Sequence, residues 1–88
     1  MKRGILVYNP AAGQRDRRTQ MSALIDRQRA QGLDLVHAPT SGPADATAIV
    51  RSFVGRVIDL VAVCGGDGTI SEAACGLIGS DVPLAILP

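Results

Sequence analysis

Lysine is nearly missing from this chain. Because Lys2 is the only one, no G-x-x-x-x-G-K-[ST] phosphate loop can be written anywhere in the sequence, which excludes a Walker-type nucleotide hydrolase. Aromatic residues make up 2% of the chain against 47% hydrophobic residues overall. The interior must therefore be built from Val, Ile, Leu and Ala, a composition that suits a parallel sheet covered by helices. An excess of one charge is also lacking: the net charge of +1 argues against a nucleic-acid binder driven by a strong overall field. Long apolar runs are absent, and the start Met1 to Pro10 has no cleavable hydrophobic region, so no membrane span or signal peptide is expected and the chain reads as cytosolic. Cys64 and Cys75 give neither metal spacing nor a disulfide framework, and both are expected to pack as small core residues. His37, the only histidine, ends a strand pattern; it could face a site, but with no partner visible it is read as an ordinary strand-end residue. A length of 88 residues allows one domain with a thin core.

What the sequence does have is a repeated strand, loop and helix. Short apolar runs at Gly4 to Tyr8, Leu33 to His37, Leu60 to Cys64 and Leu84 to Leu87 predict four strands. Between them, Met21, Leu24, Ile25 and Gln28 fall on one face of a helix from about Asp16 to Gln31, which Gly32 ends. Ala46, Ile49, Val50 and Phe53 mark a second helix, with Asp45 near its start and Gly55 after it, and Ile70, Ala73, Ala74, Leu77 and Ile78 mark a third. Strands alternating with helical crossovers predict a parallel α/β sheet, in which right-handed connections bring the C-terminal ends of the strands to one edge. Ligands bind along that edge in such sheets.

The segment with the most chemistry is Gly65-Gly66-Asp67-Gly68-Thr69, placed between the third apolar run and the third helical pattern. Glycines permit positive φ and close approach of the backbone to an anion, and the amides opening the next helix attract negative charge. Asp67 would repel bare phosphate, so the loop makes sense with a divalent cation between the carboxylate and the phosphates. A structural alternative is a capping box, Thr69-Ile70-Ser71-Glu72, which accounts for Thr69 and Glu72 but leaves the glycines unexplained. The dinucleotide fingerprint G-x-G-x-x-G fails because Ser71 stands where the third Gly is needed. Two further loops, Asn9-Pro10-Ala11-Ala12-Gly13 and Pro39-Thr40-Ser41-Gly42-Pro43, are expected at the same edge, so the three together predict a cleft. Thr40 there can offer its hydroxyl to a phosphate or ribose, or simply stabilise a turn.

The Asn-Pro loop, the run from Gly65 to Glu72 and the closing Pro83-Leu84-Ala85-Ile86-Leu87-Pro88 resemble, in order and spacing, the N-terminal part of the diacylglycerol kinase catalytic domain family. That family includes bacterial lipid kinases, sphingosine kinases and ceramide kinases. The glycine loop alone is shared with NAD kinases and phosphofructokinases. The resemblance implies a three-layer α/β/α fold with a mostly parallel, Rossmann-like sheet. It implies ATP bound at Asn9, Thr40, Gly65, Gly66, Asp67, Gly68, Thr69 and Glu72, with Mg2+ at Asp67. Relative to the family pattern, Ala12 replaces a Ser or Gly and Ser71 replaces an Asn, each removing or shortening a polar group near the nucleotide.

Family members continue after the closing Leu-Pro into a Gly-Thr-x-Asn-Asp segment and a β-rich second domain with much of the lipid site and the general base. The chain is accordingly expected to be the ATP-binding fragment of a lipid kinase, inactive alone, with no catalytic base of its own. The whole enzyme would move the γ-phosphoryl group of ATP to a lipid hydroxyl. Arg15, Arg17, Arg18, Arg27 and Arg29 surround the first helix and could form a basic face for a membrane surface, or a solvated face, with Arg15 and Arg18 near enough to the first loop to reach phosphate. The expected setting is cytoplasmic or peripheral at the inner face of the membrane. The oligomeric state stays open. Two alternatives remain at this point: a soluble-metabolite kinase of the NAD kinase or phosphofructokinase type, and a non-catalytic nucleotide-binding module.

Overall fold

The computed structural model describes residues 2–10, 17–42, 44–56 and 58–87. Along the chain these form β1 (Lys2–Tyr8), α1 (Arg17–Ala30), β2 (Leu33–Pro39), α2 (Asp45–Val54), β3 (Leu60–Cys64), α3 (Asp67–Gly76) and β4 (Leu84–Leu87). The strands make one sheet in the order β2-β1-β3-β4, with every pairing parallel.

Burial on both faces explains the continuous apolar run of β1. Ile5 and Val7 point to one side, where Ala46, Val50, Ala73 and Leu77 bring α2 and α3 against Val61 and Val63. Leu6 and Tyr8 point to the other, where Met21 and Ile25 bring α1 against Leu35 and Ala62. The result is the expected three-layer α/β/α arrangement. Ile5, Val7, Val50, Val61 and Val63 are fully buried, and each such side chain stabilises the fold by about 1.5–3 kcal/mol.

Local chemistry sets the helix ends. Gly32, at φ 93°, turns the chain out of α1, and its carbonyl accepts from the Lys2 N–H at 3.0 Å, tying the first strand to the end of the first helix. Helices α2 and α3 pack closely because Gly76 has no side chain: a Cβ there would lie 2.8 Å from the Val50 Cβ and 2.9 Å from the Thr47 carbonyl oxygen. The Thr47 hydroxyl also donates to the Glu72 carbonyl at 2.7 Å, fastening the two helices near the sheet edge. Among the described residues, no helix is long and apolar enough to cross a membrane.

Three expectations need correction. The second strand runs on to Pro39, which an edge strand tolerates because no neighbour lies beyond it to receive the missing N–H. The third helix opens at Asp67, capped by Gly66 in extended geometry with no side-chain cap bond, so Thr69 is a helical residue and the capping box does not form. An acidic residue in the first turn next to the positive helix end is the simpler stabilising device there. Cys75 is exposed, whereas Cys64 is buried as expected.

Candidate functional site

All four strands finish on one line. Pro39 pairs with Tyr8, Tyr8 with Cys64, and Cys64 with Leu87, so the segments that follow leave from the same edge of the sheet. From β1 the chain goes first to β2 on one side and later to β3 on the other, which makes the β1/β3 boundary the point where the winding reverses. Open α/β sheets leave a crevice at such a point.

A hollow of about 340 Å³ lies at this edge, lined by Asn9, Thr40, Gly42, Gly68, Thr69 and Glu72. Asn9 comes from the end of β1, Thr40 and Gly42 from the end of β2, and the other three from α3. The expected convergence of loops is therefore present. Gly65 and Gly66 lead into α3 and Asp67 opens it, but none of them lines the hollow; all three are exposed. Ala11, Ala12, Gly13 and Arg15 of the first-loop reading lie outside the described residues.

The glycine loop differs from expectation in a useful way. Among the described residues, only Gly32 and Gly79 are glycines with positive φ, so Gly65, Gly66 and Gly68 are not there for a left-handed backbone. Gly65 has a packing reason, since an added Cβ would lie 3.3 Å from the Thr69 Cβ. Gly66 and Gly68 have none: a Cβ at either would meet nothing within 4 Å. Their missing side chains leave open space at the start of a helix, the end of a helix that favours an anion.

The second loop is held in place by α2. Asp45 accepts from the Ser41 N–H at 2.7 Å and from its hydroxyl at 3.1 Å, and the Thr40 N–H donates to the Tyr8 carbonyl at 2.8 Å. Ala44 precedes α2 at φ 64°, ψ 1°, a left-handed conformation that an alanine adopts at a cost of about 1–2 kcal/mol. Ala44→Gly is expected to raise unfolding free energy by about 0.5–1 kcal/mol in urea titrations. A loss of stability would show that the methyl makes a contact worth more than the strain. The Asp45 clamp was missed at the level of sequence, although Ser41 four residues before an Asp at a helix start is its signature.

His37 faces away from the hollow. Its Nδ1 pairs with the Tyr8 hydroxyl at 2.9 Å and its Nε2 with the Ser22 hydroxyl at 3.2 Å, joining β1, β2 and α1 on the opposite side of the sheet. It is structural, as read, but with two partners the sequence did not reveal. Two of the arginines near α1 are engaged within the fold: Arg29 pairs with Asp34 at 3.1 Å, while the Arg17 guanidinium turns inward toward Cys64. A second hollow of about 310 Å³ lies at the other end of the sheet, lined by Gly4, Ile5, Val36, Phe53 and Ile58 with Arg3, Asp34 and Arg56. Its floor is apolar, and no strand-to-helix turn feeds it, so it lacks the amides of the first hollow.

A known family shares this architecture. The diacylglycerol kinase catalytic domain model matches residues 3–88. The chain belongs to this family. The kinase domain is also apparent in individual relatives: a diacylglycerol kinase of Bacillus subtilis (strain 168) is 31% identical over 77 residues, covering 88% of this chain and 25% of that protein. One from Mycobacterium tuberculosis is 34% identical over 80 residues, covering 91% of this chain and 26% of that protein. The crystal structure of a diacylglycerol kinase from Bacillus anthracis superposes with a TM-score of 0.74 at 36% identity, over 99% of this chain and 32% of that one. The chain thus spans about a quarter of the length of the curated relatives it matches.

Proposed function

We propose that this chain is the nucleotide-binding part of an ATP-dependent lipid kinase, which transfers the γ-phosphoryl group of ATP to a hydroxyl of a lipid such as diacylglycerol. The observation that carries the reading is the hollow at the strand ends, lined by Asn9, Thr40, Thr69, Glu72 and Gly68, a glycine with no packing reason in the first turn of α3. Phosphoryl transfer asks little covalent chemistry of a protein and depends on holding phosphates in line and neutralising their charge. In this proposal the amides of Gly65 to Thr69 hold the phosphates, and Asn9, Thr40 and Glu72 border the nucleotide. The lipid site and the general base belong to a β-rich domain outside this chain, and the membrane contact is peripheral.

Magnesium fits the donor set here. Among the described residues no three His, Cys, Asp or Glu side chains gather to hold a metal. That suits magnesium in nucleotide sites, which takes one or two carboxylates together with phosphates and water. Asp67, exposed in the first turn of α3, is the carboxylate that would hold it. Bound there, the ion would neutralise charge on the phosphates.

The test is an acceptor survey with labelled ATP on the intact protein, comparing diacylglycerol, sphingoid bases, NAD and sugar phosphates. Label is expected in the chloroform-extractable product with diacylglycerol. Transfer only to a water-soluble acceptor would move the enzyme to the NAD kinase or phosphofructokinase type, and no transfer with nucleotide binding retained would leave a binding module.

A further inference from the structure

Arg17 turns its side chain into the protein and not toward solvent. It is the first described residue of α1, and among the described residues of that first turn none is acidic. One guanidinium nitrogen donates to the Cys64 Sγ at 3.2 Å, and a sulfur is a weak acceptor. Its Nε is fully buried and has no hydrogen-bond partner among the described residues. A buried donor left unmade is costly, and a charged one more so. Arg29, by contrast, has the carboxylate of Asp34.

Position gives these costs a meaning. Cys64 is the last residue of β3 and pairs in register with Tyr8 at the end of β1, so the Arg17 guanidinium lies at the boundary where the winding reverses. The next residue after Cys64 is Gly65, the first of the glycine loop. The hollow opens among loops and α3, while Arg17 reaches the same strand ends from the α1 layer. The guanidinium carries five donors in a planar fork, and a phosphate group is the ligand whose charge and geometry match the donors left over.

We infer that Arg17 is an anion-binding residue of the nucleotide site, meeting the phosphate chain from the α1 side of the β1/β3 crevice. The inference rests on the nucleotide reading above. It separates Arg17 from the other arginines near α1, and it assigns the phosphate chain two sources of positive potential, the amides of the glycine loop and one guanidinium.

The experiment measures binding of magnesium-ATP and of adenosine to the intact protein by calorimetry, with urea unfolding of the ligand-free forms, for wild type, Arg17→Met and Arg17→Gln. Arg17→Met is expected to weaken ATP about tenfold or more, leave adenosine unchanged, and unfold at the same or higher urea, because an apolar side chain of similar length replaces a cation with no anion among the described residues. Arg17→Gln is expected to show the same selective loss and decides the matter if the Met variant does not fold. Equal ATP affinity in the variants, or a loss shared by adenosine together with lower stability, would make Arg17 a packing residue and overturn the inference alone. Failure of the wild type to bind either ligand would overturn the nucleotide reading, and this inference with it.

Discussion

Gly68→Ala is expected to stabilise the ligand-free protein and to destroy nucleotide binding. Gly68 lies in the first turn of α3 with an ordinary negative φ, and an added Cβ would meet no atom within 4 Å. Alanine in a helix is more stable than glycine by about 0.5–1 kcal/mol, so the protein by itself gains from the change. A methyl group projecting into the hollow would occupy the space through which an anion reaches the amides. Overpacking costs about 1–3 kcal/mol, and loss of a charge-assisted amide hydrogen bond adds about 1.5–3 kcal/mol. Affinity for magnesium-ATP should therefore fall on the order of a hundredfold while the urea midpoint rises. The opposing signs matter: a glycine kept for folding would give lower stability with any loss of binding. Retention of full affinity would place the phosphates elsewhere.

The fold was largely legible because its determinants are local and periodic. Ile5 to Tyr8 and Val61 to Cys64 read as strands buried on both faces, and Met21 and Ile25 on one helical face required a sheet to pack against. Gly32 stopped the first helix where it was expected to. One misplaced boundary, at the start of α3, arose because Thr69 and Glu72 satisfy the capping spacing while Gly66 can cap through its backbone alone. Which of the two wins depends on how the chain leaves β3, and that is set by pairing to β1 and β4.

The candidate site was legible in part: of the glycine loop, Gly68 and Thr69 line the hollow while Gly65, Gly66 and Asp67 do not. Asn9, Thr40, Gly68, Thr69 and Glu72 do come together around one hollow, because the sheet order sets the ends of β2, β1 and β3 side by side. The contribution of Arg17 was not legible. Its inward turn toward Cys64 spans 47 positions in sequence, and a pattern that shows five arginines near one helix cannot say which of them leaves the surface. The partners of His37 were hidden for the same reason: Tyr8 is 29 positions away and Ser22 15, and only the layering of α1 over β1 and β2 joins them.

Asp67→Asn should produce a crossed pattern that no purely structural role can imitate. The carboxylate lies exposed in the first turn of α3, where its interaction with the helix dipole is worth about 0.3–1 kcal/mol, so substitution should cost the fold no more than that. Its neighbours Gly66 and Gly68 leave open space where side chains would stand, and the proposal places phosphate there. Without magnesium, the carboxylate and the phosphates repel one another. Free ATP should then bind the Asn variant several-fold more tightly than wild type, by an amount that shrinks as salt screens the repulsion. With magnesium the order reverses, because a carboxylate ligand is lost and the charge neutralisation it supports is worth several kcal/mol in phosphoryl transfer. Turnover by the intact protein should drop by roughly a hundredfold or more, with partial recovery at high magnesium. Calorimetry with and without chelator, run beside the kinase assay, reads both arms. If the substitution weakened ATP equally in chelator and in magnesium, Asp67 would be holding the loop, and the metal would have to be bound from elsewhere in the enzyme.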